Sequence, residues 1–89
     1  MFATFTDWSM DNPEEGVKTA EEIWPEMKAA GAINMRIVKT DDTGARSMIM
    51  WPDEATAMRA IDAMRAKGAA KSGSELVGSA MGKVLAEMN

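Results

Sequence analysis

The strongest constraint on this fold is a short apolar segment that has no polar side. It forms the last four residues of the segment 46–51, which reads Arg-Ser-Met-Ile-Met-Trp. As a strand, this segment places Met48 and Met50 on one face and Ile49 and Trp51 on the other. A strand that is apolar on both faces is covered on both faces. The rest of the 89-residue chain provides helices for one cover only. The second cover is therefore expected from another copy of the chain.

The segment before this strand predicts a strand followed by a helix. Residues 2–6 are aromatic and β-branched, which is typical of a strand. Asn12 is a helix N-cap, Pro13 suits the first helical position, and Glu15 has the spacing of a capping box. Gly31 ends the helix as a left-handed cap. The apolar stripe of this helix consists of Val17, Ala20, Ile23, Trp24, Met27 and Ala30.

The central and C-terminal segments predict a hairpin, a second helix and a last element of two alternative types. Residues 33–39 alternate in polarity, so they pair with residues 46–51 across a turn. Asp53 or its neighbour caps a helix that Gly68 closes, and residues 69–74 are expected to form a linker. The stripe of this helix is Ala57, Met58, Ile61 and Met64. Residues 75–88 have both helical spacing and glycines that favour a strand.

With a strand at the end, the order of elements predicts an α+β fold of the ferredoxin-like βαββαβ type. Its four-stranded antiparallel sheet carries both helices on one face. We expect one domain over residues 1–89 and a homodimer packed sheet to sheet, since a domain of this size buries little of its surface alone.

This layout resembles the dimeric α+β barrel superfamily, with its small antibiotic-biosynthesis-monooxygenase-like and NIPSNAP-like branches. The likeness lies in residues 24–32 leading into a strand, in the helix started by Pro52, and in residues 75–79. The resemblance implies a barrel of two sheets with a pocket in each subunit between sheet and helices. It also implies, for cofactor-free monooxygenases, a Trp and an Asn near the substrate, for which this chain offers Trp24, Trp51 and Asn34.

Composition excludes several kinds of site. The chain has no Cys, His or Tyr, so thiol chemistry, His-ligated metal or haem, and Ser–His catalysis are excluded, and we expect no cofactor. A net charge of −4 gives no basic patch for nucleic acid and no polybasic signal for membranes. No leader or membrane span is evident, and a cytoplasmic location is expected.

The candidate ligand site lies on the hairpin. Asn34 and Arg36 share the more polar face of its first strand and are able to hold a carbonyl and an anionic oxygen. A solvated face or an ion pair across the dimer explains them equally well. A type I turn with a bulge at Gly44 places Met48 and Met50 beside Arg36. A four-residue loop places Ile49 and Trp51 there instead, because a one-residue slip exchanges the faces.

The tryptophans and methionines complete the predicted ligand-binding set, which is Trp24, Asn34, Arg36, Met48, Met50 and Trp51. Trp24 and Trp51 line a pocket mouth or anchor the core. The ten methionines admit copper(I) binding, although their positions on helix stripes favour packing.

Three functions remain open at the level of the sequence. The first is a homodimer that binds a small apolar or aromatic molecule without a cofactor. The second is a cofactor-independent monooxygenase acting on a phenolic or quinol-like substrate. The third is a dimer with a purely structural role.

Overall fold

The computed structural model describes residues 1–89 and has the predicted order of elements. The strands are β1 (Phe2–Ser9), β2 (Asn34–Asp41), β3 (Gly44–Trp51) and β4 (Glu75–Lys83), and the helices are α1 (Pro13–Ala29) and α2 (Glu54–Ser72). The strands form one antiparallel sheet in the order β2-β3-β1-β4. The C-terminal segment is thus a strand, and it pairs with β1 at the edge of the sheet.

Both helices start at the predicted caps. The Asp53 carboxylate accepts a hydrogen bond from the Thr56 amide at 2.8 Å, and this bond lowers the pKa of Asp53 because it favours the charged form. The Asn12 side chain accepts from the Glu14 amide at 3.2 Å. The expected capping box does not form, since the Glu15 amide bonds to the Asn12 backbone carbonyl and its side chain makes no return bond.

The second helix is longer than the sequence predicts. It continues through Gly68 to Ser72 and ends at Gly73, which has the left-handed φ of 69°. The linker predicted over residues 69–74 was therefore wrong. Ala69 and Ala70 are strong helix formers, and Gly68 lies buried within the helix, facing Trp8 of β1.

The hairpin adopts the register that places Met48 beside Arg36 and Met50 beside Asn34. Of the two registers that the sequence leaves open, this is the one that a bulged turn produces, but the bulge lies on β2 and not at Gly44. The extra residue is Thr40 of β2, whereas Gly44 has no positive φ. A bulge at either position has the same effect on the register, because one extra residue on either strand determines which side chains share a face.

One face of the sheet packs against both helices and forms the core. Its buried apolar residues are Phe2, Ile23, Met27, Ala32, Ile49, Trp51, Ala57, Ala60, Ile61 and Met64. Four predicted stripe members lie outside this core. Met58 is 44% exposed and Val17 is 38% exposed, Ala30 is also exposed, and Ala20 is half-buried. Neither helix combines the length and apolar character that a bilayer crossing requires.

The opposite face of the sheet, which we call the outer face, carries no helix. Its side chains, taken from the strand register, are Asn34, Arg36 and Val38 on β2, Arg46, Met48 and Met50 on β3, Ala3, Phe5 and Asp7 on β1, and Gly78, Ala80 and Gly82 on β4. Arg46 donates to both carboxylate oxygens of Asp7 at 2.8 and 3.0 Å. This pairing lowers the pKa of Asp7 and raises that of Arg46. The remainder of the face is mostly apolar or small.

Candidate functional site

A cavity of about 70 Å³, partly open to solvent, lies between the sheet and the two helices. Its walls are mostly apolar and come from every element except β4. Met27 of α1, Ile49 of β3, and Ile61 and Met64 of α2 form the buried part. Four methionines in all contribute to the lining: Met10, Met27, Met35 and Met64. Because Met is unbranched and has three rotatable bonds, these walls are able to repack around different shapes.

Three hydroxyl groups on the core face of the sheet accept hydrogen bonds from larger side chains. Trp8 Nε1 donates to Ser47 Oγ at 3.0 Å, and Arg65 Nε donates to Thr6 Oγ1 at 2.9 Å. These four residues line the cavity. The third pair, Trp51 and Thr4, lies deeper in the core. The cavity therefore has an apolar body and one polar wall.

Met10 closes one side of the cavity where β1 leads into α1. Its Sδ lies against Gly16, where an added Cβ would come within 2.8 Å of that sulfur. The Ser74 hydroxyl contacts the same sulfur at 3.9 Å. Met10 therefore connects the start of α1 with the residue that follows α2 and contributes to the cavity wall there.

A shallow groove runs along the outside of this region, between α1 and the edge strand β2. It is lined by Val17, Ala20, Glu21, Trp24, Asn34, Met35 and Ile37. Three of these residues, Ala20, Met35 and Ile37, also line the cavity. The groove and the cavity are thus adjacent and share these side chains, of which Met35 is half-buried and conformationally adaptable.

The structure distributes the predicted ligand-binding residues over three places. Asn34, Arg36, Met48 and Met50 lie on the outer face, which points away from the cavity. Trp24 is half-buried on α1 and lines the groove together with Asn34. Trp51 is fully buried, and its Nε1 donates to Thr4 Oγ1 at 2.9 Å. The fold brings Trp24 and Asn34 together but makes Trp51 a core residue.

Sequence reasoning missed the polar wall of the cavity. Thr6, Trp8, Ser47 and Arg65 are absent from the ligand-binding set that the sequence predicts. The available signal was the period-2 alternation of β1, in which Thr4, Thr6 and Trp8 share the face that packs on the helices. Hydroxyls on a core-facing stripe need partners, and those partners come from residues distant in sequence.

The cavity lining carries one positive charge and no negative charge. Arg65 is the only ionisable side chain in its lining, and no Asp or Glu lines it. No group of three or more acidic residues is arranged to hold a metal ion. The site is therefore suited to binding through apolar contacts, hydroxyl groups and one guanidinium.

No protein-family model and no curated protein matches the sequence. Solved structures do match the fold. A dimeric ferredoxin-like protein from an uncultured marine organism aligns with a TM-score of 0.68 and 15% identity, over 100% of this chain and 99% of that one. SnoaB, a cofactor-independent oxygenase from Streptomyces nogalater, aligns as a single-substitution variant with a TM-score of 0.63 and 16% identity, over 99% of this chain and 95% of that one. Another SnoaB structure aligns with a TM-score of 0.58 and 15% identity.

Identities this low establish the fold alone. The chain has the ferredoxin-like βαββαβ fold, as its order of elements predicts.

Proposed function

We propose that this protein is a homodimer that binds a small apolar or aromatic organic molecule in the cavity between its sheet and helices. The observation that carries the proposal is the cavity itself. It is mostly apolar, has a polar wall, and shares Ala20, Met35 and Ile37 with an adjacent open groove. A few convergent polar groups in an apolar pocket are typical of small-molecule sites.

The size of the cavity sets the manner of binding. At about 70 Å³ it is smaller than the engineered cavity of about 150 Å³ that accepts benzene. An aromatic ligand must therefore displace side chains when it enters. Met35 lines both the groove and the cavity, and Met64 lines the cavity from α2. Rotation of these two side chains enlarges the space without moving the backbone.

Dimerisation is supported by the outer face. Phe5, Met48 and Met50 form its centre, and no element of the same chain covers them. The ferredoxin-like protein of similar fold is described as dimeric. A second sheet packed on this face would bury the side of β3 that remains open in one chain.

Ligand binding is tested with naphthalene, a neutral aromatic probe, by saturation-transfer NMR. Signal transfer to naphthalene is expected for the unmodified protein and should disappear in Met64→Trp, which fills the cavity. Met58→Trp is the matched control, since Met58 is exposed on the same helix. Equal transfer in all three proteins would contradict the proposed site, and no transfer in any of them would contradict ligand binding.

A cofactor-independent monooxygenase is the second candidate. The observation that favours it is that Trp24 and Asn34, the residue types that the resemblance implies, line one groove next to the cavity. SnoaB, which has a similar fold, is described as a cofactor-independent oxygenase. Oxygen consumption with naphthalene-1,4-diol, above the rate of the uncatalysed reaction, distinguishes this enzyme from a binding protein.

A further inference from the structure

We infer that the ligand of the cavity is an organic acid whose carboxylate is held by Arg65. This inference rests on the proposed function, because it specifies the chemical class of the molecule bound there. Its basis is a half-buried guanidinium in the cavity wall that has hydrogen-bond donors to spare and no acidic partner.

Arg65 is fixed in place by the sheet. Its Nε donates to Thr6 Oγ1 at 2.9 Å, and one terminal nitrogen donates to the Phe5 carbonyl at 3.2 Å. A guanidinium has five N–H donors, so these two bonds leave three without a protein acceptor. The side chain is thus oriented before any ligand arrives, which lowers the entropic cost of binding.

No carboxylate of the chain neutralises this charge. The four ion pairs of the structure use Lys39, Arg46, Lys67 and Lys71, and Arg65 takes part in none of them. No Asp or Glu lines the cavity either. A partly desolvated cation without a counter-ion favours an anion from outside, even in a protein whose net charge is −4.

The surroundings select a carboxylate rather than a phosphate. A single guanidinium matches the one negative charge and the two oxygens of a carboxylate. A phosphate carries up to two charges, and Arg65 is the only cation in the lining. The hydroxyls of Thr6 and Ser47 already accept N–H bonds, so their own O–H groups remain able to donate to a ligand oxygen.

The apolar part of the cavity lining indicates the chemistry of the part of the ligand that does not contact Arg65. Most of the cavity surface is apolar, and Ile49, Ile61 and Met64 are among the side chains that form it. The molecule that fits this distribution is a small aryl or alkyl carboxylic acid, with its carboxylate at the polar wall and its apolar part among these side chains.

The test compares three probes of the same shape at pH 7: 2-naphthoate, 2-naphthamide and naphthalene. With the unmodified protein, 2-naphthoate should bind at least about tenfold more tightly than the amide, as one charge-assisted pair implies. Arg65→Met should abolish this preference while naphthalene still binds. Arg65→Lys should keep part of it, because the charge remains without the planar fork. Arg59→Met is the matched control, as Arg59 lies on the same helix outside the cavity.

The outcomes separate this inference from the proposed function. If naphthalene binds and 2-naphthoate shows no advantage, the assignment to Arg65 is overturned and the apolar site stands. A preference that persists equally in Arg65→Met and Arg65→Lys would also overturn it. If no probe binds, both proposals fail. Circular dichroism of each variant shows whether it is folded. If Arg65→Met does not fold, the conservative Arg65→Lys variant still tests the inference.

Discussion

At the scale of single residues, the feature that organises the core is the pairing of hydroxyls with large N–H donors. Thr4, Thr6 and Ser47 are all at least nine-tenths buried, on a face that packs against helices. Each accepts a hydrogen bond from a Trp or Arg side chain. No buried side-chain nitrogen or oxygen is without a partner. These polar residues are therefore compatible with the core, because each pair supplies hydrogen bonds that its buried donor and acceptor groups would otherwise need from water.

The deepest of these pairs gives a stability prediction. Thr4→Val keeps the side-chain shape but leaves the buried Trp51 N–H without an acceptor, which should lower the free energy of unfolding by about 1–3 kcal/mol. Urea denaturation at fixed protein concentration measures the change. Thr40→Val is the control, since Thr40 is exposed on β2. The double variant Thr4→Val/Trp51→Phe should recover part of the loss; a strictly additive result would show that the hydrogen bond is not what matters.

At the scale of elements, the second helix shows how a local signal is overruled. Glycine is typical of a helix C-terminus, so the sequence predicts that α2 ends at Gly68. The helix instead continues for one more turn and ends at Gly73. The difference between the two glycines is their backbone. Gly73 has a φ of 69°, which favours glycine, whereas Gly68 has no positive φ. Gly68 faces Trp8 within the packed interior, so packing allows glycine there and the backbone does not require it.

This contrast predicts opposite effects of the same substitution. A Cβ at residue 68 would lie 3.6 Å from Trp8 Cη2, an ordinary contact. Gly68→Ala should therefore stabilise the protein by roughly 0.5–1 kcal/mol, because glycine weakens a helix interior. Gly73→Ala should destabilise it by about 1 kcal/mol or more, owing to the left-handed φ. The midpoint temperature of thermal unfolding, measured for both variants at one protein concentration, tests this prediction. A lower midpoint in Gly68→Ala would contradict it.

At the scale of the whole molecule, the sheet has two unlike faces. The core face is covered by α1 and α2 and contains the cavity. The outer face presents Phe5, Met48 and Met50 with no cover from the same chain. The proposed dimer and the proposed ligand site therefore lie on opposite sides of one sheet. A change on either side should leave the other function largely intact.

The outer face provides the test of assembly. Met50→Glu should place an unpaired carboxylate in the sheet-to-sheet interface and weaken the dimer by about 3–5 kcal/mol, which is roughly a hundredfold to several thousandfold in dissociation constant. Met58→Glu on the exposed side of α2 should have no effect on assembly. Sedimentation velocity at micromolar concentration measures both. A monomeric unmodified protein, or a Met50→Glu variant that dimerises normally, would contradict the proposed interface.

The sequence by itself determined the first five elements and their order, because those signals are local. The last segment has both helical and strand patterns, and its pairing with β1 decided for the strand. Asn12 and Asp53 cap helices through bonds to residues two or three positions away. The alternation along β2 and β3 marks the hairpin, and the turn between them is enough to favour the register that places Met48 beside Arg36. Fold class follows from this order, since few ways exist to connect such elements around one sheet.

Only the tertiary structure decided which residues meet. Arg65 and Thr6 are 59 positions apart, and Trp8 and Ser47 are 39 apart, so no local pattern pairs them. The same holds for Trp51, whose apolar character fits a pocket mouth as well as a core until Thr4 is found opposite its N–H. A site composed of single residues from several elements has no periodicity of its own, because its geometry is created by packing.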